Sequence, residues 1–240
     1  IHLNKYMMYK EGLVSVLMSC YNSENTIQKS IESILDQTYE NFELLIMNDA
    51  STDNTFEILK NYETKSKKIK IFSNKVNIGL TKSLNILINK SRGEFIARQD
   101  ADDESFKNRI NLQITAMKDK NLDFCTSRAI IKNSKRKIPN ISYYLPSKLV
   151  SIYKNPFIHG TLIFKKESLD RVGNYDENFY YSQDYKLIDN MLKNKFKYKK
   201  LYDVLYKLNM ENNISTNYQD QQKYFAKCVK KNEVPDINKI

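Results

Sequence analysis

Apolar runs of four to seven residues alternate with stretches of helical apolar period along the first half of this 240-residue chain. Residues 13–19 form a β-rich run that ends in Cys20-Tyr21-Asn22-Ser23-Glu24-Asn25, a turn rich in capping side chains, so a strand is followed there by a helix start. Ile27, Ile31, Ile34 and Leu35 recur at i, i+4, i+7 and i+8, which predicts an amphipathic helix through about Gln37. A second buried strand over 42–47 ends in Asn48-Asp49-Ala50-Ser51-Thr52-Asp53, and the next helix turns Phe56 and Leu59 inward. The third strand covers 69–72, and Leu80, Leu84, Leu87 and Ile88 mark a third helix that Gly93 closes in the manner of a glycine C-cap. The fourth strand, 94–99, runs into Asp100-Ala101-Asp102-Asp103.

Strands alternating with helices imply right-handed crossovers and an α/β fold with a mostly parallel sheet, whose ligands sit beyond the carboxyl ends of the strands. Tyr21-Asn22, Asp49 to Asp53 and Asp100 to Asp103 all fall at such ends. Strand alternation points Asp100 and Asp102 to one side, where two carboxylates repel unless a cation or hydrogen-bond donors separate them. One reading is a site for a hard divalent metal. The other is a solvated turn with Asp103-Glu104-Ser105 capping a helix that starts near Phe106 and carries Ile110, Ile114 and Met117.

Further along, a strand is expected at 122–126. Residues 133–147 are basic and polar, contain Pro139 and Pro146, and read as a mobile excursion or a loop near a ligand, or as no more than an exposed connection. His159-Gly160 precedes an apolar strand at 161–164, with a short helix from Glu167. Ser182-Gln183-Asp184 opens a helix with Leu187, Ile188, Met191 and Leu192 inward; 196–208 is strand-like, and a basic helix from Tyr218 frays toward Ile240. One domain over 1–210, divided at about residue 103, with a tail at 211–240, is the expected organisation.

Composition narrows the chemistry. No run approaches bilayer-spanning length and the N-terminus lacks a signal peptide's apolar core, so a soluble cytoplasmic protein is expected. Three separated cysteines, Cys20, Cys125 and Cys228, indicate buried thiols rather than disulfides or a zinc cluster, and two histidines make a His-rich metal site or a Ser-His-Asp triad difficult to assemble. The net charge of +11 fits nucleic acid, an anionic membrane or phosphorylated substrates. None of the five glycines belongs to a phosphate-cradling loop, so a cation on Asp102 would have to neutralise any phosphate. Asp49 at its strand end would accept a hydrogen bond from a base with Tyr21 stacked on it, or serve the turn alone.

Four ordered motifs, Val14-Ser15-Val16-Leu17-Met18-Ser19-Cys20-Tyr21-Asn22, Asn48-Asp49-Ala50-Ser51-Thr52-Asp53, Ile96-Ala97-Arg98-Gln99-Asp100-Ala101-Asp102-Asp103 and Ser182-Gln183-Asp184-Tyr185, resemble those of family 2 glycosyltransferases. The resemblance runs from about residue 13 to 208. It implies an inverting enzyme of the nucleotide-diphospho-sugar (GT-A) fold, with a nucleotide-binding half over about 13–103 and an acceptor half over 104–210. It further implies that Tyr21, Asn22, Asp49 and Asp100 bind the nucleotide, with Tyr21 and Asp49 on the base and Asp100 on the ribose side, and that Asp102 holds a Mn²⁺ or Mg²⁺ ion. Asp184 would be the catalytic base and Asp103 a helix cap. Arg98, His159, Gln183 and Lys207 would lie near donor or acceptor, with His159 equally readable as a structural histidine. Many members carry Glu-Asp where this chain has Gln183-Asp184, and an Arg and a His where it has Lys207 and Asn209.

The implied donor is a UDP-sugar and the acceptor a glycan or lipid-linked hydroxyl, with no nucleic acid and with peripheral membrane contact through the basic face and tail. Two alternatives compete. A sugar-nucleotidyltransferase would need a glycine-rich basic loop where Ser19-Cys20-Tyr21-Asn22 stands, and a non-catalytic nucleic-acid or membrane module would leave the aspartates as turn residues.

Overall fold

The computed structural model of the chain describes residues 9–211 and 218–236. The polar leader before Tyr9 and the expected fraying at Ile240 lie outside the described residues. The first half forms β1 (Lys10–Cys20), α1 (Ile27–Leu35), β2 (Phe42–Asn48), α2 (Thr55–Lys65), β3 (Ile69–Ser73), α3 (Leu80–Lys90) and β4 (Gly93–Arg98). The second half adds β5 (Glu104–Ser105), α4 (Arg109–Lys120), β6 (Phe124–Ile131), β7 (Lys137–Ile138), α5 (Ser147–Ser151), β8 (Ile163–Lys165), α6 (Lys166–Val172), α7 (Gln183–Lys193), β9 (Tyr198–Leu208) and α8 (Gln219–Lys231).

One sheet runs in the order β3-β2-β1-β4-β8-β6-β9-β5, with β7 paired to β6. Every residue of β2 is buried, as a parallel strand covered on both faces requires. Alternation along β1 divides the core between those faces. Val14, Val16 and Met18 meet Ile27 and Ile31 of α1, Leu59 of α2 and Ile110 of α4, whereas Leu17 meets Leu84 and Leu87 of α3 and Ile188 of α7. Phe179, Tyr181 and Tyr185 receive Phe225, Cys228 and Val229 of α8 in a separate small cluster. The three cysteines are buried thiols, as expected.

The sheet is mixed. β1, β2, β3 and β4 are mutually parallel, and β6 is parallel to β9, but β8 is antiparallel to both its neighbours, β4 and β6. The strand expected from Thr161 begins at Ile163, because a 3₁₀ turn occupies His159–Thr161. The helix expected near Phe106 begins at Arg109 instead. Glu104 and Ser105 pair with Lys207 and Tyr206, and the Phe106 N–H donates to Leu205 O at 3.0 Å, so pairing with β9 overrides the local capping signal. The basic stretch after Asn133 is not a structureless excursion: it holds β7, a 3₁₀ turn at Ile141–Tyr143 and α5.

Arg109 locks this junction. Fully buried, it donates from Nε to Gln113 Oε1 (3.1 Å), from Nη1 to Gln99 Oε1 (3.1 Å) and Ser105 Oγ (2.8 Å), and from Nη2 to Arg98 O (2.7 Å). Its guanidinium also lies 5.0 Å from the centroid of the Tyr206 ring. Burial lowers its pKa to about 10, so it stays protonated at neutral pH. Arg109→Met, similar in length but without donors, would strand several buried acceptors. We expect a loss of about 3 kcal/mol or more in urea unfolding.

Candidate active site at the strand ends

Register carries the three polar clusters to one edge. Cys20 pairs with Asn48 and Leu17 with Arg98, so the chain leaves β1, β2 and β4 on the same side of the sheet. Asn22 adopts a left-handed φ of +48°. Its Oδ1 accepts from Thr52 N–H at 2.8 Å and its own N–H donates to Ser51 Oγ at 3.1 Å, stitching the β1 and β2 exit loops together. Tyr21 beside it is 48% exposed, leaving its ring open to a flat ligand. Asp49 is buried, with three donors on its carboxylate: Asn74 Nδ2 (2.8 Å) and Ile78 N–H (3.0 Å) on Oδ1, and Gly79 N–H (2.8 Å) on Oδ2. It secures the start of α3 and keeps acceptor capacity on Oδ2.

The β4 exit is built on Arg98, which is 1% exposed. Nη1 donates to Leu17 O and Gln99 O, both at 2.9 Å, Nε to His159 Nε2 at 3.3 Å, and Nη2 pairs with the Asp100 carboxylate. An arginine nitrogen can only donate, so His159 Nε2 is an acceptor; the Tyr175 hydroxyl, 2.7 Å away, donates to it as well. The histidine proton therefore sits on Nδ1. Desolvation and the adjacent guanidinium hold the imidazole well below its ordinary pKa, which favours the neutral form. Gly160, next to it, lies so close to the Tyr206 ring that a Cβ would collide with it.

Gln99, wholly buried, shapes the aspartate loop by donating to Ser30 Oγ (3.0 Å) and Asp103 O (2.9 Å). Asp103 is not a helix cap. Its carboxylate accepts from Asn209 N–H at 2.6 Å and from the Tyr206 hydroxyl, clasping the loop to the end of β9; burial, with Asp100 and Asp102 nearby, raises its pKa well above the usual range. Asp102 differs from both neighbours. Asp100 has Arg98, but among the described residues only the Asp102 backbone N–H donates to the Asp102 carboxylate, and desolvation plus the Asp100 charge push its pKa up to about 6. A partly buried carboxylate raised this way by a second carboxylate suits a hard cation, which would relieve both terms. Three His, Cys, Asp or Glu side chains do not converge on one point among the described residues.

Asp184 comes from α7, where it lies in the first turn behind an N-cap formed by Ser182. Asn155 Nδ2 donates to its Oδ2 at 2.6 Å and Tyr185 N–H to its Oδ1 at 2.8 Å. Burial raises its pKa despite both hydrogen bonds, and Asp100 adds to the rise, so these two carboxylates lie near enough to feel one another. Gln183 is buried at the start of α7, and Lys207 is paired with Glu104 at 3.0 Å rather than standing as a free cation. Ser182, in a left-handed conformation, donates to Gln222 O at 3.2 Å, so α8 braces the turn that carries Asp184.

The sequence reading missed Asn155, Tyr175, Tyr206 and Arg109. Each acts through a partner that the fold supplies: Asn155 on Asp184, Tyr175 on His159, Tyr206 on Asp103, and Arg109 on the Arg98 carbonyl and the Tyr206 ring.

Comparison with known proteins agrees with this geometry. Residues 15–184 match the model of Glycosyl transferase family 2. The putative glycosyltransferase EpsE of Bacillus subtilis is 36% identical over 169 residues, which cover 68% of this chain and 59% of EpsE. The O-antigen biosynthesis glycosyltransferase WbnJ of Escherichia coli is 34% identical over 182 residues, covering 73% of this chain and 70% of WbnJ. Among solved structures, S. aureus TarS 1-349 in complex with UDP-GlcNAc superposes with a TM-score of 0.74 at 22% identity, over 85% of this chain and 60% of that one. This chain thus spans less than two thirds of EpsE and of the TarS structure. The fold is GT-A, and the chain belongs to glycosyltransferase family 2.

Proposed function

We propose that this chain catalyses metal-dependent, inverting transfer of a sugar from a nucleotide diphosphate, with UDP as the favoured nucleotide, to a hydroxyl of a surface-glycan acceptor. One observation carries the reading. Asp184, held by Asn155 Nδ2 and the Tyr185 N–H, lies close enough to Asp100 to feel its charge, and next to Arg98-paired Asp100 stands Asp102, whose carboxylate has no partner side chain among the described residues. The exposed Tyr21 ring and the spare acceptor capacity of Asp49 suit a nucleobase at the β1 and β2 ends, which supports reading residues 13–103 as the donor half. A uridine donor and a surface-glycan acceptor accord with the UDP-GlcNAc complex of TarS and the O-antigen role in the name of WbnJ.

Asp102, with Asp100 beside it, would hold Mn²⁺ or Mg²⁺, and a bound divalent ion supplies the positive charge that a departing diphosphate needs. Asp184 takes the proton of the acceptor hydroxyl as that oxygen attacks the anomeric carbon from the face opposite the leaving group. A single displacement inverts the configuration. Asn155 and the Tyr185 N–H each occupy one carboxylate oxygen of Asp184, so the group is aimed before the acceptor arrives. Arg98 keeps Asp100 in place, and neutral His159 keeps Arg98 in place.

A thermal-shift panel of nucleotide sugars with and without Mn²⁺ tests donor and metal together. Stabilisation by UDP-sugars should require Mn²⁺ and should vanish in Asp102→Ala; stabilisation by RNA alone, weakening with salt, would favour a binding module instead. Asp184→Asn should lower kcat by about 10²- to 10⁴-fold while leaving the donor-induced thermal shift in place. The pH profile follows from the sign of the shift. The base works deprotonated, so kcat/KM should rise with pH through an acid limb lying above the ordinary aspartate pKa of about 3.9. Asn155→Ala removes a hydrogen bond that favours the ionised form, and should move that limb to still higher pH.

A further inference from the structure

The segment after β7 is built inside out. Helix α5 continues by a further turn, with Tyr153 and Lys154 N–H both donating to Val150 O at 3.0 Å. Along it the serines Ser147 and Ser151 are buried, whereas Leu149 (58%), Ile152 (57%) and Tyr153 (75%) are exposed. Those three stand at i, i+3 and i+4, on one face. Ile141, Tyr144 and Leu145, also exposed, bring the total to six large apolar side chains in thirteen residues, beyond the scattered exposure normal for a protein surface.

This is no loose loop. Tyr143 is buried and donates to Leu201 O at 3.0 Å, Lys200 Nζ donates to Tyr143 O (2.6 Å) and Leu145 O (2.8 Å), and the Tyr185 hydroxyl donates to Ser151 O. Tyr144 stacks on Tyr202 at 5.3 Å. The apolar side chains are therefore held outward by a fixed backbone.

Charge identifies the occupant. Between Asp123 and Glu167 the chain has nine Lys and Arg and no Asp or Glu. Lys135, Arg136, Lys137, Lys148 and Lys154 are exposed, and none of them forms an ion pair among the described residues. A second copy docking here would press like charges together, whereas an anionic bilayer offers head groups to the cations and an apolar layer to the side chains between them. The tail helix has no such face to offer, because Phe225, Cys228 and Val229 are already packed inside. We propose that residues 141–154, with the adjoining β6–β7 turn, seat the protein on an anionic lipid bilayer, with Leu149, Ile152 and Tyr153 entering the interface. Asn155, one residue beyond this segment, holds Asp184, so the seat places the catalytic base beside the lipid boundary, within reach of a lipid-carried acceptor. Only that last consequence rests on the transferase mechanism proposed above.

The test is co-sedimentation of the full chain with phosphatidylcholine vesicles, with and without phosphatidylglycerol. Binding should require phosphatidylglycerol and weaken with salt. Leu149→Glu/Ile152→Glu should reduce binding at least about tenfold, and Lys148→Gln/Lys154→Gln by about fivefold per cation, while Lys227→Gln/Lys230→Gln on α8 should leave it intact. An unchanged thermal midpoint in each variant shows that the fold is kept. Failure of the wild-type chain to bind, equal binding by Leu149→Glu/Ile152→Glu, or a dimer in sedimentation velocity that this variant dissociates would overturn the proposal. Vesicle binding without any Mn²⁺-dependent donor shift would leave the lipid seat standing and reject the transferase mechanism alone.

Discussion

A guanidinium sealed away from water at the end of β4 sets the geometry of the whole cleft. Arg98 keeps its charge only because every direction around it offers an acceptor: the carbonyls of Leu17 and Gln99, the imidazole of His159 and the carboxylate of Asp100. A buried charge stripped of such partners is very costly, so these groups are not free to drift. One residue of the strand thereby fixes its neighbour strand β1, the turn before β8 and the first aspartate of the loop. Arg109, accepting no compromise in its own burial, holds the backbone of Arg98 from below and stacks on Tyr206.

Within that frame the three aspartates have separate fates. Asp100 is neutralised by Arg98, and Asp103 is absorbed by Asn209 N–H and Tyr206. Asp102 alone is left half-desolvated and next to like charge, an arrangement that costs stability in the free protein. Such local conflicts mark sites where a ligand completes the structure. The same economy governs the other wall of the cleft, where burial keeps Asp184 basic and Asn155 keeps it aimed.

The two walls come from parts of the chain with little in common. Asp100 and Asp102 stand on a rigid strand exit, whereas Asp184 depends on a turn of unfavourable backbone conformation at Ser182, braced by Gln222 of α8. Removing the tail would therefore act on Asp184 through its support. His159 is tied by Nε2 to Arg98 and to the Tyr175 hydroxyl, so it helps to orient the buried guanidinium.

By itself the sequence determined the β-α-β-α order of the first half, because buried parallel strands and amphipathic helices have distinct apolar periods. It also determined that Tyr21, Asp49 and the Asp100 to Asp103 loop share one edge, since parallel strands put their carboxyl ends together. Only the tertiary structure decided that Asp103 is a clasp rather than a cap. Its partners, Tyr206 on β9 and Asn209 just beyond it, are more than a hundred residues away, and long-range pairing of Glu104 and Ser105 outweighed a local helix-start signal. The direction of β8, the neutrality of His159, the pairing of Lys207 with Glu104 and the outward turn of Leu149, Ile152 and Tyr153 were equally invisible, because periodicity reports which face of an element is apolar but not what that face meets.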